Sequence, residues 1–400
     1  MAKEHFLTQA PIIAMQSGWP SLWLADPGTG KTQSFYSVAR FFHAEAIEAG
    51  RIPADTPLHH YAPDLVLSHY DPSDIGGIPW MAKDESGNTI QHRALPNYAK
   101  ILAELGEGFV FCDELLTATP STQGAALKLI NERKVGDIQL PDDVRIVAAA
   151  NNTNVAGNFD LTAAASNRFW HYDFEIDFDS WSSGFMSGFP DPEVKLLPDS
   201  WKSYVPEVRA LLVGFLKSKP ELLHDMPEED SEQGKPWPSR RTWDMAADLL
   251  AAAKAYGVGE NVRGELLAGA VGKGAGYEAL SYIENSDLQD PDEILDSPIE
   301  DLKLPERGDQ RFALLGGVTA AALRNLTDER WIKAWDVMVE ATKQEATDVA
   351  VVQARTLAQA FLDTEKNEGR VLPLPQTQLP TFIEILEVAG IYGSKKQGRG

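Results

Sequence analysis

The chain has 400 residues, a formal net charge of −23, and a composition that is 43% hydrophobic and 24% charged. That is the make-up of a soluble globular protein long enough for two or three domains. The acid excess argues against a nucleic-acid partner, since such binding rests on neutralising phosphates, and the single cysteine, Cys112, excludes an intramolecular disulfide.

No apolar signal segment stands at Met1–Phe6 and no run approaches the ~18 residues of a membrane span. A reducing, cytoplasmic setting is expected, with no membrane association. Residues 1–178 alternate short apolar runs with helical patterns. The candidate strands are Ser21–Ala25, Asp64–Ser68, Gly108–Cys112, Val144–Ala149 and Phe169–Phe174. Alternating β and α predicts an α/β domain with a mainly parallel sheet covered by helices. The strands lack apolar–polar alternation, as expected when both faces are buried. Residues 179–202 are rich in Ser, Gly, Pro and Asp and read as a linker, whose Trp181, Phe185 and Phe189 are expected to pack on something. From 203 to 395 nearly everything reads as helix: Val205–Lys217, Thr242–Tyr256, Asn261–Val271, Phe312–Leu323, Asp328–Glu345 and Val349–Asp363. The tryptophans are expected in cores and at domain interfaces, and Cys112 in a buried strand is expected to be inert.

The first chemical signal is Ala25-Asp26-Pro27-Gly28-Thr29-Gly30-Lys31-Thr32-Gln33, between the first strand and a helical run. A strand, a Gly-rich loop, Lys-Thr and a helix are how a nucleoside triphosphate is cradled. The loop residues Asp26, Pro27, Gly28, Thr29 and Gly30 and the helix residue Gln33 surround the phosphates, every one but Pro27 with a backbone N–H to offer, Lys31 reaches the β/γ-phosphates, and the Thr32 hydroxyl ligates Mg²⁺. Ala25 stands where the motif has its first Gly; at a strand end with negative φ a methyl is tolerated.

Phe109-Val110-Phe111-Cys112-Asp113-Glu114 reads as a buried strand delivering two acids at its C-terminal end, where ligands of parallel sheets bind. Asp113 is placed to hold Mg²⁺ and Glu114 to take a proton from the attacking water. Arg145–Asn152 is a second such strand ending in amides. Ser166-Asn167-Arg168-Phe169 offers an Arg that could reach a neighbouring subunit's γ-phosphate. Pro238-Ser239-Arg240-Arg241-Thr242-Trp243 opens a later helix with an Arg that could lean over phosphates. His59, His60 and His92 lack metal-ligand spacing, so no metal beyond Mg²⁺ is expected.

Taken in order, these signals resemble an AAA+ ATPase, and more narrowly the MoxR family. Ser68–Pro79 is similar to that family's insert within its second helix, here about 69–96, and Lys134–Pro141 to its hairpin before the first sensor, about 134–143. The resemblance covers residues 10–255 well and is weak beyond about 300. It implies an AAA+ core followed by an all-α lid. It implies ATP and Mg²⁺ as ligands, with Lys31 and Thr32 as the Walker A pair and Asp113 and Glu114 as the Walker B pair. Asn152 is implied as the first sensor, with Asn151 the alternative; Arg168 as the arginine finger, with Arg133 the alternative; and Arg241 as the second sensor. A homo-oligomeric ring of six subunits, a partner with a von Willebrand factor A domain, and a protein client that is remodelled, matured or loaded with metal are implied likewise. Two other readings stay open: a nucleotide-gated assembly module with incidental turnover, and a GTP-using subunit of the restriction type.

Overall fold

The computed structural model describes residues 7–83, 86–151 and 159–383. The chain enters through α1 (Gln9–Gln16) and β1 (Ser21–Ala25), turns through the Gly-rich run into α2 (Lys31–Glu48), and passes α3 (Leu58–Tyr61) to β2 (Asp64–Val66). α4 (Pro72–Gly76) and an antiparallel hairpin, β3 (Ile78–Lys83) with β4 (Thr89–Ala94), precede α5 (Asn97–Leu105). β5 (Glu107–Asp113), α6 (Pro120–Glu132) and a tight hairpin of β6 (Lys134–Val135) and β7 (Ile138–Gln139) follow. β8 (Asp143–Asn151), α7 (Ala163–Ser166), β9 (Trp170–Asp173) and α8 (Phe178–Ser187) come next.

Five strands form one sheet in the order β2-β5-β8-β1-β9, every pair parallel. The expected α/β class is therefore the observed one. The reason is visible along β5, whose residues alternate between two buried faces. Phe109 and Phe111 meet α2, where Phe35 stacks on Phe111 with centroids 4.2 Å apart. Val110 and Cys112 pack the other way, in a cluster with Leu102 of α5 and Leu129 and Ile130 of α6. Burying each such ring contributes roughly 1.5–3 kcal/mol. Cys112 is fully buried, and burial pushes its thiol up to about 12, so it stays protonated and unreactive.

The rest of the chain is helical: α9 (Val205–Ser218), α10 (Asp230–Gln233), α11 (Arg240–Tyr256), α12 (Glu260–Val271), α13 (Lys273–Asn285), α14 (Pro291–Asp296), α15 (Gly308–Arg324), α16 (Asp328–Lys343) and α17 (Thr347–Glu368). No described helix is long and apolar enough to cross a membrane. Two compact units emerge, and they are interleaved in sequence. The first takes the chain to Pro198, then His224–Leu249 and Tyr256–Tyr277; the second takes Asp199–Leu223, Leu250–Ala255 and the chain from Glu278 onward. The beginning of α11 thus belongs to the unit that holds the sheet.

The second unit has its own core of Leu315, Val318, Trp331, Trp335, Met338 and Leu357. α15 lies so close to α9 that a Cβ on Gly316 would sit 2.6 Å from that of Ala210. Glu207, buried on α9, is paired with Arg324 at 2.7 Å and with Lys254.

Two sequence expectations fail. Phe178–Ser187, most of which falls in the stretch 179–202 read as linker, is helical, because the Asp177 carboxylate caps the first turn by accepting from the Ser180 N–H at 2.8 Å and its hydroxyl at 2.6 Å. The aromatics of this stretch are also not packed away: Trp181 is 44%, Phe185 71% and Phe189 55% exposed. Trp23, Trp170, Trp331 and Trp335 are core residues as expected, whereas Trp80 on β3 and Trp181 face solvent.

Candidate functional site

The sheet runs out at one edge in the loop Asp26–Gly30, which carries the chain from β1 into α2. Gly28 and Gly30 have φ of +81° and +89°, values that favour glycine and let the backbone turn its N–H groups to one side. The Thr29 hydroxyl donates to the Asp26 carbonyl at 2.9 Å and braces the turn. Asp26, Pro27, Gly28, Gly30 and Gln33 are exposed around the start of α2. There the first N–H groups of the helix lack intrahelical acceptors and its dipole is positive. Ala25 is a regular strand residue, so the missing first glycine of the motif removes no needed conformation.

The register decides what stands beside this loop. Ala25 pairs with Asn151 of β8, and Cys112 of β5 with Ala148 of β8, so three strands end together. Lys31 is buried, its ammonium donating to the Ala150 carbonyl at 2.7 Å and lying 3.5 Å from the Asn151 side-chain oxygen. Burial lowers its pKa, against the opposing pull of Asp113 and Glu114. The Thr32 hydroxyl donates to the Asp113 carboxylate at 3.1 Å. A hydroxyl and a carboxylate side by side are hard oxygen donors of the kind that hold Mg²⁺ next to phosphate. Asn152, the expected first sensor, lies outside the described residues; Asn151 is the amide found beside Lys31.

Glu114 follows directly, in the left-handed region at φ 57°, a conformation that costs a non-glycine residue roughly 1–2 kcal/mol. Its N–H donates to Asp113 Oδ1 at 2.8 Å. Its carboxylate accepts from the Ser68 hydroxyl. Ser68 sits in the short turn Leu67–His69 after β2, and β2 pairs with β5, which brings the two together. Sequence reasoning gave Ser68 no role in the site; its place at the end of the candidate strand Asp64–Ser68 was the available signal. Asp64, bonded by the Tyr36 hydroxyl, is raised to about 6 by burial and by the charge of Asp113.

The expected arginines gather elsewhere. A cleft of about 370 Å³ is lined by Arg133, Arg168, Arg241, Trp19, Asn131 and Asp248. It lies where residues 17–20 lead into β1, and the Pro20 carbonyl accepts from the Trp170 N–H at 2.9 Å as β9 begins. That is the sheet edge opposite the loop, and five strand residues separate the two by roughly 16 Å. No P-loop residue lines the cleft.

Each arginine is held differently. Arg133 ends α6 at φ 52° and donates to the carbonyls of Pro141 at 2.9 Å, Asp142 at 2.8 Å and Val144. Burial lowers its pKa. Arg168 donates to the Ala164 carbonyl at 2.8 Å, while its Nε is buried with no partner among the described residues. Arg241 is exposed in the first turn of α11.

One buried contact joins the last two. Asn167 Oδ1 accepts from the Ser239 hydroxyl at 2.7 Å. Ser239 and Thr242 also cap the start of α11 reciprocally, at 2.8 and 3.2 Å. The Asn-Arg-Phe and Ser-Arg-Arg-Thr motifs, seventy residues apart, thus form one constellation.

No protein-family model matches the chain, and no curated protein matches it. Among solved structures, a candidate ATPase from Cytophaga hutchinsonii ATCC 33406 is similar over 61% of this chain and 74% of its own, with 15% identity and a TM-score of 0.34. A full-length MCM homologue from Methanopyrus kandleri is similar over 65% of this chain, with 14% identity and a TM-score of 0.26, and the chain spans 55% of that protein.

Proposed function

We propose that this chain is a P-loop ATPase of the AAA+ type whose active site is completed across a subunit interface. The observation that carries this reading is the convergence of the Lys31 ammonium, the Thr32 hydroxyl and the Asp113 carboxylate at one sheet edge, under a helix N-terminus. A triphosphate in the loop displaces Lys31 from the Ala150 carbonyl and takes its charge. Thr32 and Asp113 would hold Mg²⁺, which would supply neutralisation of phosphate charge when bound. Glu114, once it leaves Ser68, accepts a proton from the attacking water, so the Ser68 bond restrains turnover until the site is loaded.

A chain's own arginine cleft opens on the opposite edge of the sheet, so it serves a neighbour's γ-phosphate instead. The buried, unpaired Nε of Arg168 supports an anion as the expected occupant, and Arg241 is held beside it. The motif order and the inserts at 69–96 and 134–143 favour the MoxR group within AAA+. On that reading a ring of six subunits works with a von Willebrand factor A domain protein on a protein client.

Mixing two inactive variants tests the shared site. Lys31→Ala loses its own phosphate site and Arg168→Ala loses the finger, but a mixed assembly contains intact interfaces. Steady-state phosphate release should recover to a substantial fraction of wild type on mixing. No recovery, with both variants folded and co-assembled, would overturn the shared-site reading.

A further inference from the structure

Beside the loop lies a second cleft, of about 830 Å³, that runs from the loop along α2. One wall is polar: Gly28–Gly30 of the loop, then Ser34, Ser37 and Arg40 along the outer side of α2. The other is aromatic: Trp181 and Phe185 of α8, and Phe189 just beyond it. Trp181 and Phe185 are stacked on each other, with centroids 5.1 Å apart and planes inclined by 17°. Large rings left 44% to 71% exposed forgo burial that a folded chain normally secures.

We infer that this aromatic wall is the platform on which the base of the bound nucleotide stacks. The inference rests on the reading of the loop as the phosphate site, and it names what holds the other end of the same ligand. A triphosphate in Gly28–Lys31 leaves a nucleoside that must run along α2 or into solvent. The cleft along α2 offers hydroxyls for a ribose and a flat π-surface for a base. Such a surface takes any purine, because stacking uses the ring face and not its edges. The one acid that lines the cleft, Asp191, lies 3.9 Å from the Arg40 guanidinium, with its side chain 86% exposed. Gln33 also lines the cleft, but stacking on a ring face discriminates little between purines, so ATP and GTP are expected to bind within about tenfold of each other.

Calorimetric titration in the presence of Mg²⁺ separates the base from the phosphates. Wild-type protein should bind ATP more tightly than inorganic tripolyphosphate. Trp181→Ala should weaken ATP and GTP by on the order of 10- to 100-fold and leave tripolyphosphate unchanged, while Trp181→Phe retains most of the affinity. Unchanged ATP binding in Trp181→Ala, or equal loss for ATP and tripolyphosphate, overturns the platform and leaves the phosphate site standing. A wild type that binds neither ligand overturns the phosphate site and the platform with it. Lys31→Ala, which should lose both ligands, marks that second case.

Discussion

The two edges of the sheet are built by opposite strategies. The phosphate edge comes from one continuous run, Ala25–Gln33, with acids supplied by the end of β5, two strands away from β1. Its polar groups are backbone N–H donors and side chains that bond across the sheet, Lys31 to the Ala150 carbonyl and Thr32 to Asp113. The arginine edge is assembled from three distant segments around Arg133, Arg168 and Arg241, the last two joined by the Asn167–Ser239 bond and by the Ser166 hydroxyl donating to the Lys235 carbonyl at 2.6 Å. A phosphate cradle can be local because its ligand binds backbone. The arginine edge carries long side chains, two of them held by carbonyls of their own segments, Arg133 by Pro141 and Asp142 and Arg168 by Ala164.

Single variants can break or sharpen that contrast. Arg168→Ala should cost about 10³ in turnover while nucleotide affinity in isolated subunits stays close to wild type. An equal loss of affinity would place Arg168 at its own chain's phosphates and erase the distinction between the edges. Asn167→Ala is expected to act through positioning and to lower kcat about tenfold, leaving the dissociation constant for ATP unmoved. Restoration by Asn167→Asp, which keeps an acceptor for Ser239, separates positioning from general destabilisation.

The smallest effect is in acid. His171 of β9 is buried, bonded to the Ser166 carbonyl at 3.0 Å, and burial lowers its pKa to about 4. The unfolded chain, with an ordinary histidine near 6.5, takes up a proton that the folded chain refuses. Stability is therefore complete above that value and falls as pH drops from about 6.5 towards 4. Between pH 7 and 6 the loss should be under about 1 kcal/mol, read as a shift in urea midpoint and reduced in His171→Gln.

The fold and the phosphate edge were legible in the sequence because their signals are contiguous. Buried strands appear as apolar runs, and the Lys-Thr and Asp-Glu pairs mark strand ends. The arginine cleft was only partly legible: each arginine could be named, but nothing in Ser239 or Asn167 announces a bond across seventy residues. α8 was missed because its Ser- and Gly-rich composition outweighs a single Asp cap. Glu114's hold by Ser68 was missed because it depends on β2 lying beside β5, a pairing that composition does not encode.

β8 runs from one edge to the other, and each edge grips it. Arg133 holds the Val144 carbonyl at its beginning, and Lys31 the Ala150 carbonyl at its end. Six residue steps of extended chain make this a ruler of roughly 20 Å. An extended strand barely stretches, so the gap between the loop and the arginine cleft is fixed by a count of residues. Lengthening β8 by two would open that gap by roughly 7 Å with every side chain still on its own face, whereas lengthening it by one would turn the strand inside out.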